Sequence, residues 1–320
     1  DACLVGSEMC IRDRYDLVID NQSVSYGMEY IQILTPLIEV IHHPITMDLK
    51  HELATNKNLI YRFSRHRWYS FLRMQKKVAP LLKNILTPSH NSKKDIIKDF
   101  KVKPENISVI HNAVDSSIFR PYPNIKNSPH RLITTASADV PLKGLDFSLY
   151  ALSELSNEFQ DIELLVIGAP KEGGHTERLI KKLNLNKRVT FKTGITKDQI
   201  AQEYAKSSVA IVSSLYEGFG YPVAEAMSCS IPLVATDIAS IPEITDNFAT
   251  LIPPKNSDAI SDSVRKIFLE PDLYNEIAAK GRIHIQNKFN WQTIGMQYEA
   301  LMNKVIKNHK PIIKGNNANF

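Results

Sequence analysis

Short apolar runs alternate with longer amphipathic segments along the chain from Tyr15 onward. A buried parallel strand is typically a short continuous apolar run, whereas a covering helix carries apolar residues every three or four positions. The alternation therefore predicts an α/β protein with parallel sheets covered by helices on both faces. The predicted strands are residues 16–20, 37–42, 84–88, 107–111, 132–136, 163–168, 189–193, 209–213, 233–236 and 250–252. The clearest predicted helices are residues 144–159, 176–183, 197–207, 257–269 and 273–288.

The length of 320 residues suits two domains. A segment rich in Pro, Asn and Lys, residues 121–127, separates four of the predicted strands from the other six. We therefore predict one domain over residues 15–121 and another over residues 128–290. The first has too few strands for a whole doubly wound domain, so it is predicted to be the latter portion of one.

The first residues form a segment of doubtful origin. Residues Met9 to Asp13 match a reading frame of the transposon end sequence used in preparing sequencing libraries. We therefore expect residues 1–14 to be adapter-derived and the native N-terminus to be missing.

Charge and cysteine usage narrow the function classes. A net charge of +5 is too mild to indicate nucleic acid as a partner, and no run of eighteen apolar residues predicts a membrane span. Of the three cysteines, only Cys229 lies outside the doubtful segment, which favours a reducing compartment. The sequence thus predicts a cytoplasmic protein.

A glycine-containing loop follows the predicted strand 209–213, with one glutamate in the loop and another in the helix after it. Gly218 and Gly220 mark a tight turn, and Pro222 suits the first turn of a helix. Backbone N–H groups at such a helix start attract an anion, and glycines let a phosphate come close. Glu217 in the loop and Glu225 in the helix can accept hydrogen bonds from hydroxyl groups. A ligand with both phosphates and hydroxyls is predicted, which means a nucleotide sugar.

The segment from Ser213 to Met227 resembles the signature of retaining glycosyltransferases of the GT4 type. Glu217 is followed by Gly-Phe-Gly, the second glutamate is Glu225, and the next predicted strand comes soon after. The resemblance implies an α/β GT-B fold, in which two Rossmann-like doubly wound domains face each other across a cleft. The N-terminal, acceptor-side domain would be incomplete here, and a helix over residues 291–310 would cross back onto it.

The resemblance also implies roles for residues of the second domain. Lys143, followed by Gly144, would pair with the donor diphosphate, and Glu217 would contact hydroxyls of the transferred sugar as a catalytic residue. Glu225 would bind the donor ribose. Further donor contacts are implied for Gly168, Val189, Gly218, Phe219 and Gly220. Many members of the family have an arginine where this chain has Ala138, so a second cationic contact to the diphosphate is absent or supplied elsewhere.

Metal ions and cofactors are not expected. The chain contains no Asp-x-Asp motif that would hold a divalent ion on a diphosphate. Lys143 and the helix N-terminus would take that electrostatic role.

Acceptor-side residues follow two predicted strands of the first domain. The family has a histidine at the end of a strand here, and we assign this catalytic position to His42, with His43 as the second choice. The role implied for it is hydrogen bonding to sugar or phosphate. Asn21 ends the preceding strand and is expected to line the same place.

Residues 57–84 contain eight Lys or Arg and no Asp or Glu, with aromatic residues between them. Such a helical stretch can lie on an anionic membrane or receive an anionic lipid. Alternatively, its aromatic residues pack on the sheet of the first domain and its basic face is solvated. Both interpretations are compatible with the sequence. Under the membrane interpretation, the protein would be peripheral at the inner face of a membrane.

The sequence thus predicts transfer of a sugar from a nucleotide-sugar donor to a glycan, lipid or small-molecule acceptor, with retention and without metal. The alternatives are a phosphorylase or a nucleotide-sugar epimerase on the same fold, or an inactive nucleotide-binding remnant caused by the missing N-terminus. The base, the sugar and the acceptor are not predicted.

Overall fold

The computed structural model describes residues 15–55 and 58–309. The predicted adapter-derived segment 1–14 and residue 310 of the predicted last helix lie outside these residues. The chain forms two compact units, one up to His111 together with the residues from Ile294 onward, and one over Asn112–Thr293. The division precedes the predicted linker, because Val114 and Phe119 are buried in the core of the second unit.

The first unit contains a parallel sheet of strand order β1-β2-β3-β4. Its strands are β1 Val18–Asn21, β2 Leu37–Val40, β3 Ile85–Thr87 and β4 Ile107–Val109. Its helices before the second unit are α1 Tyr26–Leu34, α2 Thr46–Thr55, α3 Leu59–Trp68, α4 Leu72–Val78 and α5 His90–Phe100. Among the described residues the order runs in one direction, without a reversal. Strand β2 ends earlier than predicted, so His42 lies in the loop that follows it.

The second unit contains a six-stranded parallel sheet in the order β10-β9-β8-β5-β6-β7. Its strands are β5 Arg131–Thr135, β6 Glu163–Ile167, β7 Val189–Lys192, β8 Val209–Val212, β9 Leu233–Thr236 and β10 Thr250–Ile252. Every residue of β8 and β9 is buried, as expected for central strands with helices on both faces. The chain starts at β5, runs outward to β7 and then returns to β8 on the other side of β5. Ligands of open α/β sheets bind at such a reversal, outside the carboxyl ends of the strands.

Helices cover both faces of this second sheet and enclose two apolar cores. They are α6 Leu145–Leu155, α7 His175–Lys182, α8 Lys197–Ala205, α9 Tyr221–Ser228, α10 Ile241–Thr245, α11 Ser257–Leu269 and α12 Pro271–Lys288. The last helix, α13 Trp291–Asn308, starts at the residue predicted from the sequence. In the described ranges, none of the helices is long and apolar enough to span a bilayer.

Candidate functional site

Two loops meet at the carboxyl end of the second sheet, one before α6 and one after β8. The backbone N–H of Leu215 donates to the carbonyl oxygen of Leu142 at 2.7 Å. The hydroxyl of Ser213 donates to the carbonyl oxygen of Gly144 at 2.9 Å. Gly144 has φ +61°, and a Cβ there would lie 2.0 Å from the carbonyl oxygen of Ser213. Only glycine permits this approach, which brings the two loops together at the reversal of strand order.

An ion pair joins these two loops. Lys143 Nζ lies 2.8 Å from Glu217 Oε1, and the hydroxyl of Ser214 donates to the same oxygen at 2.7 Å. The Glu217 side chain is 10% exposed and that of Lys143 29% exposed. The carboxylate is thus held by a cation and a hydroxyl in a place that water hardly reaches, where charge-assisted hydrogen bonds are strong. The resemblance assigned these two residues to different groups of one donor, the diphosphate and the sugar; the structure pairs them with each other.

The backbone between Glu217 and α9 is fixed from the neighbouring strand end. The hydroxyl of Ser240, which follows β9, lies 2.9 Å from the carbonyl oxygen of Glu217 and 2.6 Å from that of Phe219. Gly220 then takes φ +106°, and α9 begins at Tyr221. This loop carries Gly218 and Phe219 to the N-terminus of the helix, as the sequence predicted. Ser240 was missed, although a polar residue just beyond a neighbouring parallel strand is the signal that could have found it.

Glu225 lies in the second turn of α9 and is half-buried. Burial raises its pKa to about 7, and the positive charge of Lys197 opposes this shift. Within the described ranges its carboxylate makes no hydrogen bond or ion pair. A desolvated carboxylate of this kind gains free energy when a ligand hydroxyl donates to it.

Gly168 follows β6 and also permits a close backbone approach. It has φ +153°, and a Cβ there would lie 2.3 Å from the carbonyl oxygen of Ala136, just after β5. Ala138 is 6% exposed and packs in an apolar core with Leu145. The position at which many members of the family have an arginine is therefore part of the core in this chain.

Val189 is the predicted donor residue that the structure does not bring to this edge. It is the first residue of β7 and pairs with Leu164, whereas the carboxyl end of β7 is Lys192, which pairs with Ile167. At a rise of about 3.3 Å per residue, Val189 lies about 10 Å from that end. Thr193 and Gly194 follow β7 and lie at this edge instead.

Asp139 organises the loop after β6, and sequence reasoning missed this role. Its carboxylate accepts hydrogen bonds from the backbone N–H groups of Lys171 at 2.8 Å and Thr176 at 2.9 Å. Asp139 itself has φ +61°. It thereby fastens the loop before α7 to the segment that leads to Lys143.

The acceptor-side residues predicted in the first unit lie together. His42 Nε2 is 2.7 Å from Asn21 Oδ1, and the backbone N–H of His42 donates to Gln22 Oε1 at 2.9 Å. His43 Nε2 is 2.8 Å from Asp48 Oδ2. Burial lowers the pKa of His42, as does the neighbouring His43, so the imidazole of His42 is favoured in its neutral form.

A pair of carboxyl groups next to this cluster was not predicted. Glu39 in β2 is fully buried and lies opposite Asp20 in β1. Burial and Asp20 raise the pKa of Glu39 to about 9. Glu39 Oε1 also accepts a hydrogen bond from the backbone N–H of Val24 at 3.1 Å. A protonated Glu39 would donate a hydrogen bond to the Asp20 carboxylate and so connect the two strands just before Asn21.

Two family models match the chain. The model for glycosyl transferases group 1 matches residues 120–284, and that for glycosyltransferase family 4 matches residues 7–118. The second match begins inside the segment predicted to be adapter-derived.

Among curated proteins, an MMP alpha-(1->4)-mannosyltransferase of Mycolicibacterium hassiacum is 34% identical, over 92% of this chain and 72% of the relative. A D-inositol 3-phosphate glycosyltransferase of Streptomyces bingchenggensis is 26% identical, over 62% of this chain and 47% of the relative.

Solved structures share the fold at low identity. Sucrose-phosphate synthase of Thermosynechococcus elongatus has a TM-score of 0.74 and 19% identity, over 95% of this chain and 77% of that one. HepE of Anabaena, in complex with UDP, has a TM-score of 0.73 and 17% identity, over 95% of this chain and 82% of that one.

Proposed function

Since the chain belongs to the family of glycosyl transferases group 1 and has the GT-B fold, we propose that it transfers a sugar from a nucleotide donor to an acceptor. We further propose that the anomeric configuration is retained and that no metal ion takes part. The observation that carries the proposal is the Lys143–Glu217 ion pair at the reversal of the sheet, beside the N-terminus of α9.

The ion pair supplies both groups that a sugar diphosphate needs. A donor diphosphate would compete with Glu217 for Lys143 and would meet the positive end of α9. Glu217, still hydrogen-bonded to Ser214, could then accept from a hydroxyl of the transferred sugar. The positive charge near the diphosphate would stabilise the leaving group as its charge develops, without a metal ion.

Glu225 is proposed to bind the ribose. Its carboxylate is half-buried and has no partner among the described residues, so two adjacent ribose hydroxyls could donate to it. The nucleobase would then lie towards Gly168 and the end of β7, where the backbone is accessible at Gly194.

Retention of configuration is supported by one relative. The mannosyltransferase that is 34% identical is named for an α-linkage. An α-linkage is what retention gives from an α-linked nucleotide donor. The hydrogen-bonding role predicted for His42 stays a prediction; its neutral form could accept from a hydroxyl or donate to an oxygen.

Mannose is the sugar that we propose to test first. Two relatives are named mannosyltransferases, the M. hassiacum protein and an O-antigen chain enzyme of Salmonella typhimurium that is 27% identical. No comparable argument selects an acceptor.

The test is a transfer assay with GDP-mannose, UDP-glucose and UDP-N-acetylglucosamine in the presence of EDTA, with a panel of glycan, lipid and small-molecule acceptors. We expect turnover with one donor, a product whose anomeric coupling in NMR matches that of the donor, and loss of turnover in Glu217→Gln. Turnover that needs added Mg²⁺ or Mn²⁺, or an inverted product, would contradict the mechanism.

Other outcomes would indicate the alternative functions. Phosphate-dependent release of the sugar would indicate a phosphorylase, and conversion of the donor without an acceptor would indicate an epimerase. A protein that binds nucleotide but never turns over would be the inactive remnant.

A further inference from the structure

Helix α3 exposes its apolar side chains. Leu59 and Ile60 are each 81% exposed, Phe63 is 74% exposed and Trp68 is 68% exposed. No residue of the helix is buried. The helix is nevertheless well formed, because the side chain of Asn58 accepts from the backbone N–H groups of Ile60 and Tyr61. The sequence alternative in which the aromatic residues pack on the sheet therefore does not hold for Phe63 and Trp68.

The inner side of α3 is charged. Arg62 Nη1 donates to the carbonyl oxygen of Leu53 at 2.7 Å. Arg65 lies 3.6 Å from a carboxylate oxygen of Glu52 and also stacks over the ring of Tyr61. A surface helix ordinarily buries its apolar face and turns its charges to water. In α3 two arginines are held by the protein, and four large apolar residues face outward.

The next helix is basic on its outside. A 3-10 turn over Tyr69–Phe71 leads into α4, in which Leu72, Gln75 and Val78 are buried. Arg73, Lys76 and Lys77 are exposed, at the spacing that places them on one helical face. No acidic residue occurs in residues 57–84.

We propose that the exposed faces of α3 and α4 bind the surface of an anionic lipid bilayer. Leu59, Ile60, Phe63 and Trp68 would enter the interface between headgroups and acyl chains. Arg73, Lys76 and Lys77 would contact anionic headgroups. Apolar burial together with electrostatic attraction is how interfacial helices bind membranes.

Other occupants fit this surface less well. A nucleic acid would neutralise the basic residues but would leave Leu59 and Ile60 in water, since aliphatic side chains offer no stacking surface for bases. A second copy in a two-fold dimer would bring the same basic segment against itself, and like charges at an interface are unfavourable.

The experiment is co-sedimentation of the whole chain with vesicles of phosphatidylcholine alone or mixed with phosphatidylglycerol. We expect binding to the anionic vesicles only. The triple substitution Arg73→Gln, Lys76→Gln and Lys77→Gln should weaken binding about a hundredfold, since each basic residue contributes about fivefold. The double substitution Phe63→Ser and Trp68→Ser should weaken it by at least about tenfold.

Matched controls come from exposed residues of the second unit. Leu269→Ser with Trp291→Ser removes two side chains of similar exposure, 79% and 65%. Lys181→Gln, Lys182→Gln and Lys187→Gln removes three exposed lysines. Both control variants should bind vesicles as the wild type does, and melting temperatures should show that all variants are folded.

Three results would overturn the proposal. The first is equal vesicle binding by the wild type and the Phe63→Ser/Trp68→Ser variant, which would mean adsorption by charge alone. The second is no binding to anionic vesicles. The third is a lipid-free dimer of the wild type that the same double substitution dissociates. The substitutions in α3 and α4 lie in the first unit, so nucleotide binding by these two variants should be unchanged. A failure of the membrane proposal can therefore be distinguished from a failure of the donor proposal.

Discussion

At the scale of single residues, Lys143 is the side chain on which phosphate recognition depends. Lys143→Ala removes the cation of the ion pair with Glu217 and leaves a carboxylate that is 10% exposed beside the expected phosphate position. We expect the affinity for a nucleoside diphosphate to fall about tenfold to a hundredfold, the range for a charge-assisted hydrogen bond. The affinity for the nucleoside alone should hardly change. Calorimetric titration measures both, with Lys181→Ala as a control. Equal affinities of the wild type and Lys143→Ala for the diphosphate would refute the assignment.

Glu225 gives the site a pH dependence. Its pKa is raised to about 7 by burial, and only the ionised carboxylate accepts from both ribose hydroxyls. Nucleotide affinity should therefore fall as the pH decreases through about 7, approaching tenfold per pH unit below that value. Glu225→Gln should bind more weakly and without this dependence. A 2′,3′-dideoxynucleotide should also lack it, and a dependence that persists with this ligand would exclude the ribose contact.

The sequence did not predict the roles of side chains whose partners lie far away along the chain. Glu217 and Glu225 could be found because glycines and a proline mark the loop around them. The roles of Asp139 and Ser240 depend on backbone groups of loops that follow other strands, so they depend on the order of the strands in the folded sheet. For Val189, the pattern located β7 correctly but not which of its ends lies at the carboxyl edge of the sheet, and Val189 lies at the other end.

At the scale of structural elements, the junction of the loop before α6 with the loop after β8 depends on Gly144. Both Gly144 and Gly173 have positive φ, +61° and +63°, but a Cβ on Gly173 would meet nothing within 4 Å. Gly173→Ala should therefore cost only the strain of the backbone, about 1 kcal/mol in the free energy of unfolding. Gly144→Ala should cost about 1–3 kcal/mol more, since the Ser213 carbonyl must move. Denaturant unfolding measures the difference, and equal losses would contradict the packing described for this junction.

The buried Glu39 carboxyl group, which lies opposite Asp20 where β2 pairs with β1, should make the stability of the first unit depend on pH. The folded-state pKa of Glu39 is raised from 4.5 to about 9, so the protonated group stabilises the fold most fully below pH 4.5. This contribution should be lost progressively as the pH rises towards 9. Glu39→Gln keeps a neutral side chain of the same shape, so its melting temperature should fall less than that of the wild type between pH 5 and 9. A parallel fall in both proteins would show that Glu39 is ionised in the folded state.

The elements themselves were largely predictable. All ten predicted strands are present, because short apolar runs between turn residues are typical of the strands of a parallel sheet. Their ends shifted by a residue or two, as when β2 ended at Val40 and left His42 in a loop. The outward face of α3 was not predictable, since periodicity shows that a helix has two faces but not which one meets the protein.

At the scale of the whole molecule, the proposed donor site and the proposed membrane-binding surface belong to different units. The second unit contains every described contact of the proposed donor site, together with two apolar cores. The first unit contains the His42 cluster and the exposed faces of α3 and α4. The sequence pattern predicted a parallel sheet, and only the family resemblance implied the doubly wound strand order of the second unit. The pairing of the strands in the structure shows this order directly.

The measurement that tests the donor site most directly is a thermal-shift screen of nucleoside diphosphates and nucleotide sugars without metal, on the wild type and Glu225→Gln. A ligand at a hundred times its dissociation constant stabilises the folded state by about 2.7 kcal/mol, which should raise the melting temperature by about 5–10 °C. We predict such a shift for ligands of one base in the wild type and a much smaller one in Glu225→Gln. A folded wild type that no nucleotide stabilises, or equal shifts in both proteins, would contradict the proposed donor site.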